Sequence, residues 1–405
     1  MVGNQDDEKY NAFLTELEEL YASGECIDLY LMPTSYENNL WDLWFPDVDQ
    51  AMHSGCFADI GDFYDADDTL DKAGLNQTVM DAGVVNGCRY TLPLRYDFPV
   101  VYVWPEQFED YGLNPQMFQT GITGMWDAVA QSGYPDLARG TYSNLRYSAL
   151  DFFPDLIDYD RQEVLLSTAE LTAFFDSYAR HAEARDNEIK FLHNELALMG
   201  QAFGDGSHWL LTDQCMVVGG LEDAVGQVAL AKTINMDLDM YPLTSQDGRL
   251  TAEVTLYGAV DAQSRHPDLA YEFLRNFLSE EWQWRFSPTY WGSDEVANGY
   301  PVRAVGSAAT LCQKSYYAMG GLEDVTFVLG LKPETILKLS EIVLTDEDIP
   351  ILQAQIDVAR YPKPELEKQL WSMVQSAAAE YPYTESYAQN YVNLLESYLL
   401  ENSPS

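Results

Sequence analysis

The amino-acid sequence predicts an α/β protein built as two lobes that share one interrupted chain. Three observations carry this expectation. The chain opens in the order helix, glycine, short apolar strand, which is the repeating unit of an α/β layer. Its 405 residues exceed what one hydrophobic core normally organises. No Ser/Gly/Pro-rich linker separates consecutive domains, so interleaved lobes are expected rather than beads on a string.

Along the chain, Tyr10, Phe13, Leu14, Leu17 and Tyr21 recur on one helical face, and Gly24 stands where a C-terminal cap belongs. Residues 27–32 form a β-prone run stopped by Pro33. Residues 34–38 then make a polar loop at the carboxyl end of that strand, where open α/β sheets place ligands. The next strand region, YTLPLRYDFPVVYVW at 90–104, contains Pro93 and Pro99 and so is not one unbroken central strand. It predicts a bent strand pair with a polar kink at Arg95–Tyr96–Asp97, the kind of bend by which a chain leaves one lobe for another. Helices are expected over 126–132, 168–185 and 188–202. Residues 208–220 (HWLLTDQCMVVGG) predict a hairpin or two short strands ending in a Gly-Gly step that admits a close backbone or ligand. The segment 241–277 then runs through a polar turn (244–249), a β-prone stretch (254–260) and a helix with Pro267 in its first turn. Its expected buried face is Leu269, Ala270, Phe273, Leu274, Phe277 and Leu278. The C-terminal third is mostly helical, ending on Tyr387, Tyr391, Leu394, Leu395, Tyr398 and Leu399.

Composition narrows the function class. With 22 Lys and Arg against 65 Asp and Glu, the formal charge is −43, which opposes nucleic acid or an anionic membrane surface as a direct partner. The densest acidic run, DFYDADDTLDKAG, lacks the sixth-position Gly and twelfth-position Glu of an EF-hand loop and is read as a solvated loop. Five scattered cysteines form no C-x-x-C pair, so neither a zinc knuckle nor a dense disulfide framework is expected, and no metal or cofactor. Phosphate-binding, dinucleotide, zinc-protease and nucleophile-elbow motifs are all missing from the sequence. A glycosidase needs two opposed carboxylates, and among 65 acidic residues no local motif nominates a pair.

Several blocks, in order, resemble the family 1 extracellular solute-binding proteins of carbohydrate ABC importers. LYASGECIDLYLM (20–32), GCFADIGDF (55–63), NGCRYTLP (86–93) and FGDGSHWLL (203–211) look like successive blocks of that family. The segment 241–281 with FLSEEWQ (277–283), then YPVRAV (300–305) and the tail YLLE (398–401), are similar to its later ones. The resemblance implies a two-lobed periplasmic-binding-protein-like fold of type II with a hinge. Lobe 1 is expected at 1–100 plus 258–312 and lobe 2 at 101–257 plus 313–405, with crossings near 98–105, near 254–258 and after 305. It implies a monomeric, non-enzymatic receptor that captures a sugar or oligosaccharide and delivers it to permease subunits; a glycoside-active enzyme or a degenerate surface protein are the alternatives. It also implies an export signal, a lipid-bearing Cys and a first strand, which the opening MVGNQDDEKYN lacks; these are expected in a surface-anchored full-length parent. Carried onto this chain, the ligand groove is expected at Tyr36 and Trp41, whose rings would stack on a pyranose. Arg95, Tyr96 and Asp97 would meet its hydroxyls, and Gly219, Tyr257 and Gly258 would close the second side.

Overall fold

The computed structural model describes residues 27–34, 47–134, 155–186, 216–221, 237–285, 300–303, 346–358, 364–382 and 384–403, with isolated positions elsewhere. The helices expected near 9–23 and over 188–202 and the region 208–215 lie outside the described residues, apart from Thr15, which is helical.

The chain begins its described course in β1 (Leu29–Pro33), whose alternating burial turns Tyr30 and Met32 inward. α1 (Val48–His53) follows, with the Asp47 carboxylate accepting from the Gln50 amide at 2.9 Å as its N-cap. The short helices α2 (Gly61–Ala66) and α3 (Gln77–Met80) and the hairpin β2–β3 (Val84–Val85, Cys88–Arg89) lead into β4 (Thr91–Asp97). Only Phe98 separates β4 from β5 (Pro99–Val103), so the bend expected from the two prolines is present. Around Pro93, which cannot donate to the ladder, the pairing of β4 with its neighbour shifts register. α4 (Pro105–Asp110), α5 (Gly121–Gln131), the hairpin β6–β7 (Ile157–Asp158, Glu163–Val164) and α6 (Thr168–Asp186) follow. The reciprocal bonds of Ser167 and Glu170 open α6 as a capping box. Next come β8 (Met216–Gly220), β9 (Asp239–Pro242), β10 (Thr251–Val260), α7 (Pro267–Arg275), α8 (Glu280–Arg285) and β11 (Tyr300–Pro301). β12 (Asp357–Val358), α9 (Pro364–Ala379) and α10 (Thr384–Asn402) complete the chain.

Two main sheets result. The first has the order β1-β10-β4-β11, with β12 added in parallel to the start of β10. The second has the order β8-β5-β9. The chain passes from the first sheet to the second at Phe98 and returns between Pro242 and Thr251. The return therefore comes before the expected 254–258, because all of β10 belongs to the first sheet. The expected lobe boundary at 257/258 falls inside that strand, and residues 349–356, expected with lobe 2, pack on the first core.

The buried apolar residues form two clusters. One surrounds the first sheet, α1–α3 and α7; the other holds α5, α6, α9 and α10 against the second sheet. β5 divides them by its period of two: Val100 and Tyr102 belong to the first cluster, Val101 and Val103 to the second.

α7 departs from its expected face at two of six positions, with Phe277 and Leu278 just beyond it buried as expected. Ala270, Tyr271 and Leu274 are buried, while Leu269 and Phe273 are more than half exposed. The reason is Tyr271, whose ring stacks on Phe63 at 5.8 Å and whose hydroxyl donates to Asp67 at 3.2 Å. Asp67 also pairs with Arg275 at 3.2 Å and accepts from the Thr69 amide and hydroxyl, so part of the acidic loop anchors a helix rather than lying solvated. Burial opposes its ionisation, but the Thr69 hydrogen bonds and the Arg275 charge prevail and pull Asp67 down to about 2. Its folded pKa lies below its unfolded one, so its stabilisation is present above about 4 and lost as pH falls through about 2. Asp67→Asn is expected to melt below wild type at pH 6, with the gap closing by pH 2; thermal melts at both pH values check this.

Candidate functional site

The place where the chain steps between sheets is built from β4, β5 and β8. Asp97, the last residue of β4, turns its Oδ1 onto two backbone amides, Phe98 at 2.8 Å and Leu221 at 2.5 Å. Leu221 follows the Gly219–Gly220 step at the end of β8, where Gly219 pairs with Val100 and Gly220 with Pro99. A β-carbon at 220 would run into the Asp97 carboxylate. Tyr102 donates to the Gly220 carbonyl at 2.5 Å. One carboxylate thus ties the end of the first sheet to the edge of the second, with two charge-assisted bonds. Asp97 and Gly219 are partly exposed.

The loop after β1 departs from the same end of the first sheet. The Thr34 amide donates to the Thr255 carbonyl at 3.0 Å and its hydroxyl to the Val254 carbonyl at 2.5 Å. Val254 is the partner of Tyr96 and Glu253 that of Asp97, so Thr34 leaves the sheet level with the crossing. β1 and β4 flank β10, about 10 Å apart at two strand spacings. Tyr36 and Trp41 continue this loop and lie outside the described residues.

The other expected groove residues are elsewhere. Arg95 is fully buried between Leu256 and Pro301 on the neighbouring strands, which removes it from a solvent-facing wall. Tyr96 is 4% exposed and packs edge-on against Tyr300; burial pushes its phenol up to about 12. Tyr257 is fully buried on β10. Gly258 faces α7: a β-carbon there would lie 3.1 Å from Leu274 and 3.6 Å from Leu94, so this glycine serves helix-on-sheet packing. Of the expected set, the structure brings together Asp97 and Gly219. Sequence reasoning marked Thr34 only as part of a polar loop and Gly220 only as part of the Gly-Gly step, and it missed Leu221, for which that step was the available signal.

A cavity of about 530 Å³ lies in the second half, beside α6 and the turn after β9. Its Arg249 is held by Asp247 at 2.6 Å and Asp155 at 3.0 Å. Among the described residues no cluster of His, Cys, Asp and Glu is arranged to hold a metal ion. No helix among them is long and apolar enough to cross a membrane. Cys56 and Cys88 are free thiols, and Cys26, Cys215 and Cys312 lie outside the described residues.

No protein-family model and no curated protein matches the sequence. Solved structures do match over nearly the whole chain. The sugar-binding protein MalE of Xanthomonas citri superposes with a TM-score of 0.55 at 12% identity, covering 96% of this chain and 88% of that one. A periplasmic oligogalacturonide-binding protein of Yersinia enterocolitica gives 0.51 at 13% identity, covering 97% and 90%. An extracellular solute-binding protein family 1 member of Alicyclobacillus acidocaldarius gives 0.50 at 13% identity, covering 96% and 88%. The chain therefore has the two-lobed type II fold of periplasmic solute-binding proteins.

Proposed function

We propose that this protein is the substrate-binding component of an ABC importer: it captures a sugar or oligosaccharide between its lobes, delivers it to a membrane permease, and catalyses nothing. The observation that carries this is the step between sheets at Asp97, in a fold shared with proteins described as binding sugars or oligogalacturonides. In this reading one lobe takes residues 27–98 and 251–303, the other 99–242 and 364–403, and 346–358 form the third crossing. Asp97 and Gly219 lie at the floor of the groove, and Tyr36 and Trp41, which follow Thr34 in sequence, are the rings proposed to complete it. In this reading the Asp97 carboxylate accepts from a sugar hydroxyl, and the two rings supply apolar faces for the C–H side of a pyranose. Closure follows if the ligand binds the closed arrangement better than the open one, since only differential affinity shifts that equilibrium. The receptor acts as a monomer at the outer surface, held there by a lipid anchor.

Calorimetric titration of the full chain against mono- and oligosaccharides tests the proposal. Saturable heat with at least one glycan, weakened at least tenfold by Trp41→Ala, is the expected result. A folded chain silent across the panel overturns it, and release of reducing sugar during the titration would assign the protein to enzymes instead.

A further inference from the structure

His53 sits where the two halves of the molecule meet away from the chain crossing. It ends α1, which packs on the first core, and its neighbour Met52 receives the Thr91 hydroxyl at 3.9 Å. Thr91 begins β4 and Phe98 follows its end, so the contact lies about 20 Å along the strand from the crossing. The His53 ring bridges two carboxylates. Nδ1 is 2.8 Å from the Asp49 carbonyl and 3.0 Å from the Asp49 carboxylate of its own helix, and Nε2 is 2.9 Å from Asp160, in the turn between β6 and β7 of the second half.

Two further contacts join the same surfaces. The buried Asp47 carboxylate accepts from the Tyr159 hydroxyl at 2.6 Å and from the Tyr398 hydroxyl of α10 at 3.3 Å. Asn86, in the turn between β2 and β3, donates to Asp160 at 3.4 Å. The groups facing His53 are thus Asp49 from its own helix, and Asp160 and the Tyr159 ring, 5.8 Å away, from the hairpin turn, with the Asp47 carboxylate beyond Tyr159. Tyr398 faces the set from α10 through Asp47.

We infer that His53, held between Asp49 and Asp160, is a proton-dependent latch that fastens the second half of the molecule to the first. The chemistry is a matter of donor count. An imidazolium donates from both nitrogens and satisfies both carboxylates, whereas a neutral ring has one donor only. Asp49 is 1% exposed and Asp160 41% exposed, so the remaining proton stays on Nδ1 with the buried acid. The lone pair of Nε2 then faces the Asp160 carboxylate, and the bond between halves becomes a repulsion.

The Asp49 hydrogen bond, opposed by burial and reinforced by the Asp49 carbonyl and Asp160, pushes His53 up to about 9. A raised folded pKa means that the latch is fully engaged below about 6.5 and lost as pH rises through about 9. Burial and then the Asp47 charge raise both tyrosines, so neither phenol titrates in this range and neither supplies the step.

The inference rests on the reading of two halves that move about the crossing. Small-angle scattering of the full chain from pH 7 to 10.5, with circular dichroism on the same samples, tests it. The radius of gyration is expected to rise with a midpoint near pH 9 at constant helix signal. His53→Gln should abolish the step, and so should Asp160→Asn, whose amide accepts from the imidazolium and donates to the neutral ring. A wild-type chain with no step, a step that survives in His53→Gln, or a step that coincides with loss of helix signal overturns the latch. Compaction by glycans at pH 7, read on the same instrument, reports separately on the sugar reading. A chain that closes on no glycan yet expands through His53 keeps the latch and loses the receptor.

Discussion

Gly220→Ala is expected to lower stability by about 2–3 kcal/mol and to release Asp97 from its post at the crossing. The added β-carbon overlaps the Asp97 carboxylate, which must rotate away and give up the Phe98 and Leu221 amides. Neither backbone nor aromatic neighbours can yield instead, because Tyr102 fixes the Gly220 carbonyl and Pro99 pairs opposite it. Removing the carboxylate as well should relieve the collision. In a denaturant-based double-mutant cycle, Gly220→Ala with Asp97→Ala is therefore expected to cost less than the sum of the two single changes. Simple additivity would mean that Asp97 is not what the new methyl group meets. Glycan affinity of the Gly220→Ala chain should fall as well, since the proposed acceptor at the groove floor has turned away.

Trp126→Ala is expected to remove about 3–5 kcal/mol. Trp126 is fully buried in α5, its ring 6.0 Å from Phe174 and 5.9 Å from Tyr178 of α6. The cavity would open in the second core, on the face of β5 that carries Val101 and Val103. Native-state hydrogen exchange should then show amides of α5 and α6 losing protection well before those of β1, β10 and β4. Equal loss across both sheets would show that the clusters open as one unit, with β5 transmitting the damage through Val100 and Tyr102.

Much of the architecture was legible from local signals because those signals act within a few residues. Pro93 and Pro99 constrain the backbone wherever it lies, so the bent strand pair at 90–104 was readable and is present. Pro267 set the start of α7, and the apolar spacing of α10 set that helix. The step between the two sheets falls at that kink for the same reason. Its chemistry was only half readable: Asp97 and the Gly-Gly step were marked separately, and that one carboxylate joins them across 124 residues was not.

Which side of an element meets the core is a different kind of fact. Leu269 and Phe273 have the spacing of a buried stripe and are exposed, while Tyr271 is buried because Phe63 and Asp67 wait for it some 200 residues earlier in the chain. Arg95 and Tyr96 read as a polar kink and are enclosed, because β11 lays Tyr300 and Pro301 beside them. Gly258 read as a groove lining and is a contact surface for Leu274. The sequence by itself determined where the backbone bends, where helices begin and the strongly acidic character of the chain, since each follows from short-range sterics or from counting charge. The assignment of faces, the enclosure of Arg95 and the meeting of His53 with Asp160 came only with the tertiary structure. Burial and pairing depend on partners that proximity along the chain does not specify.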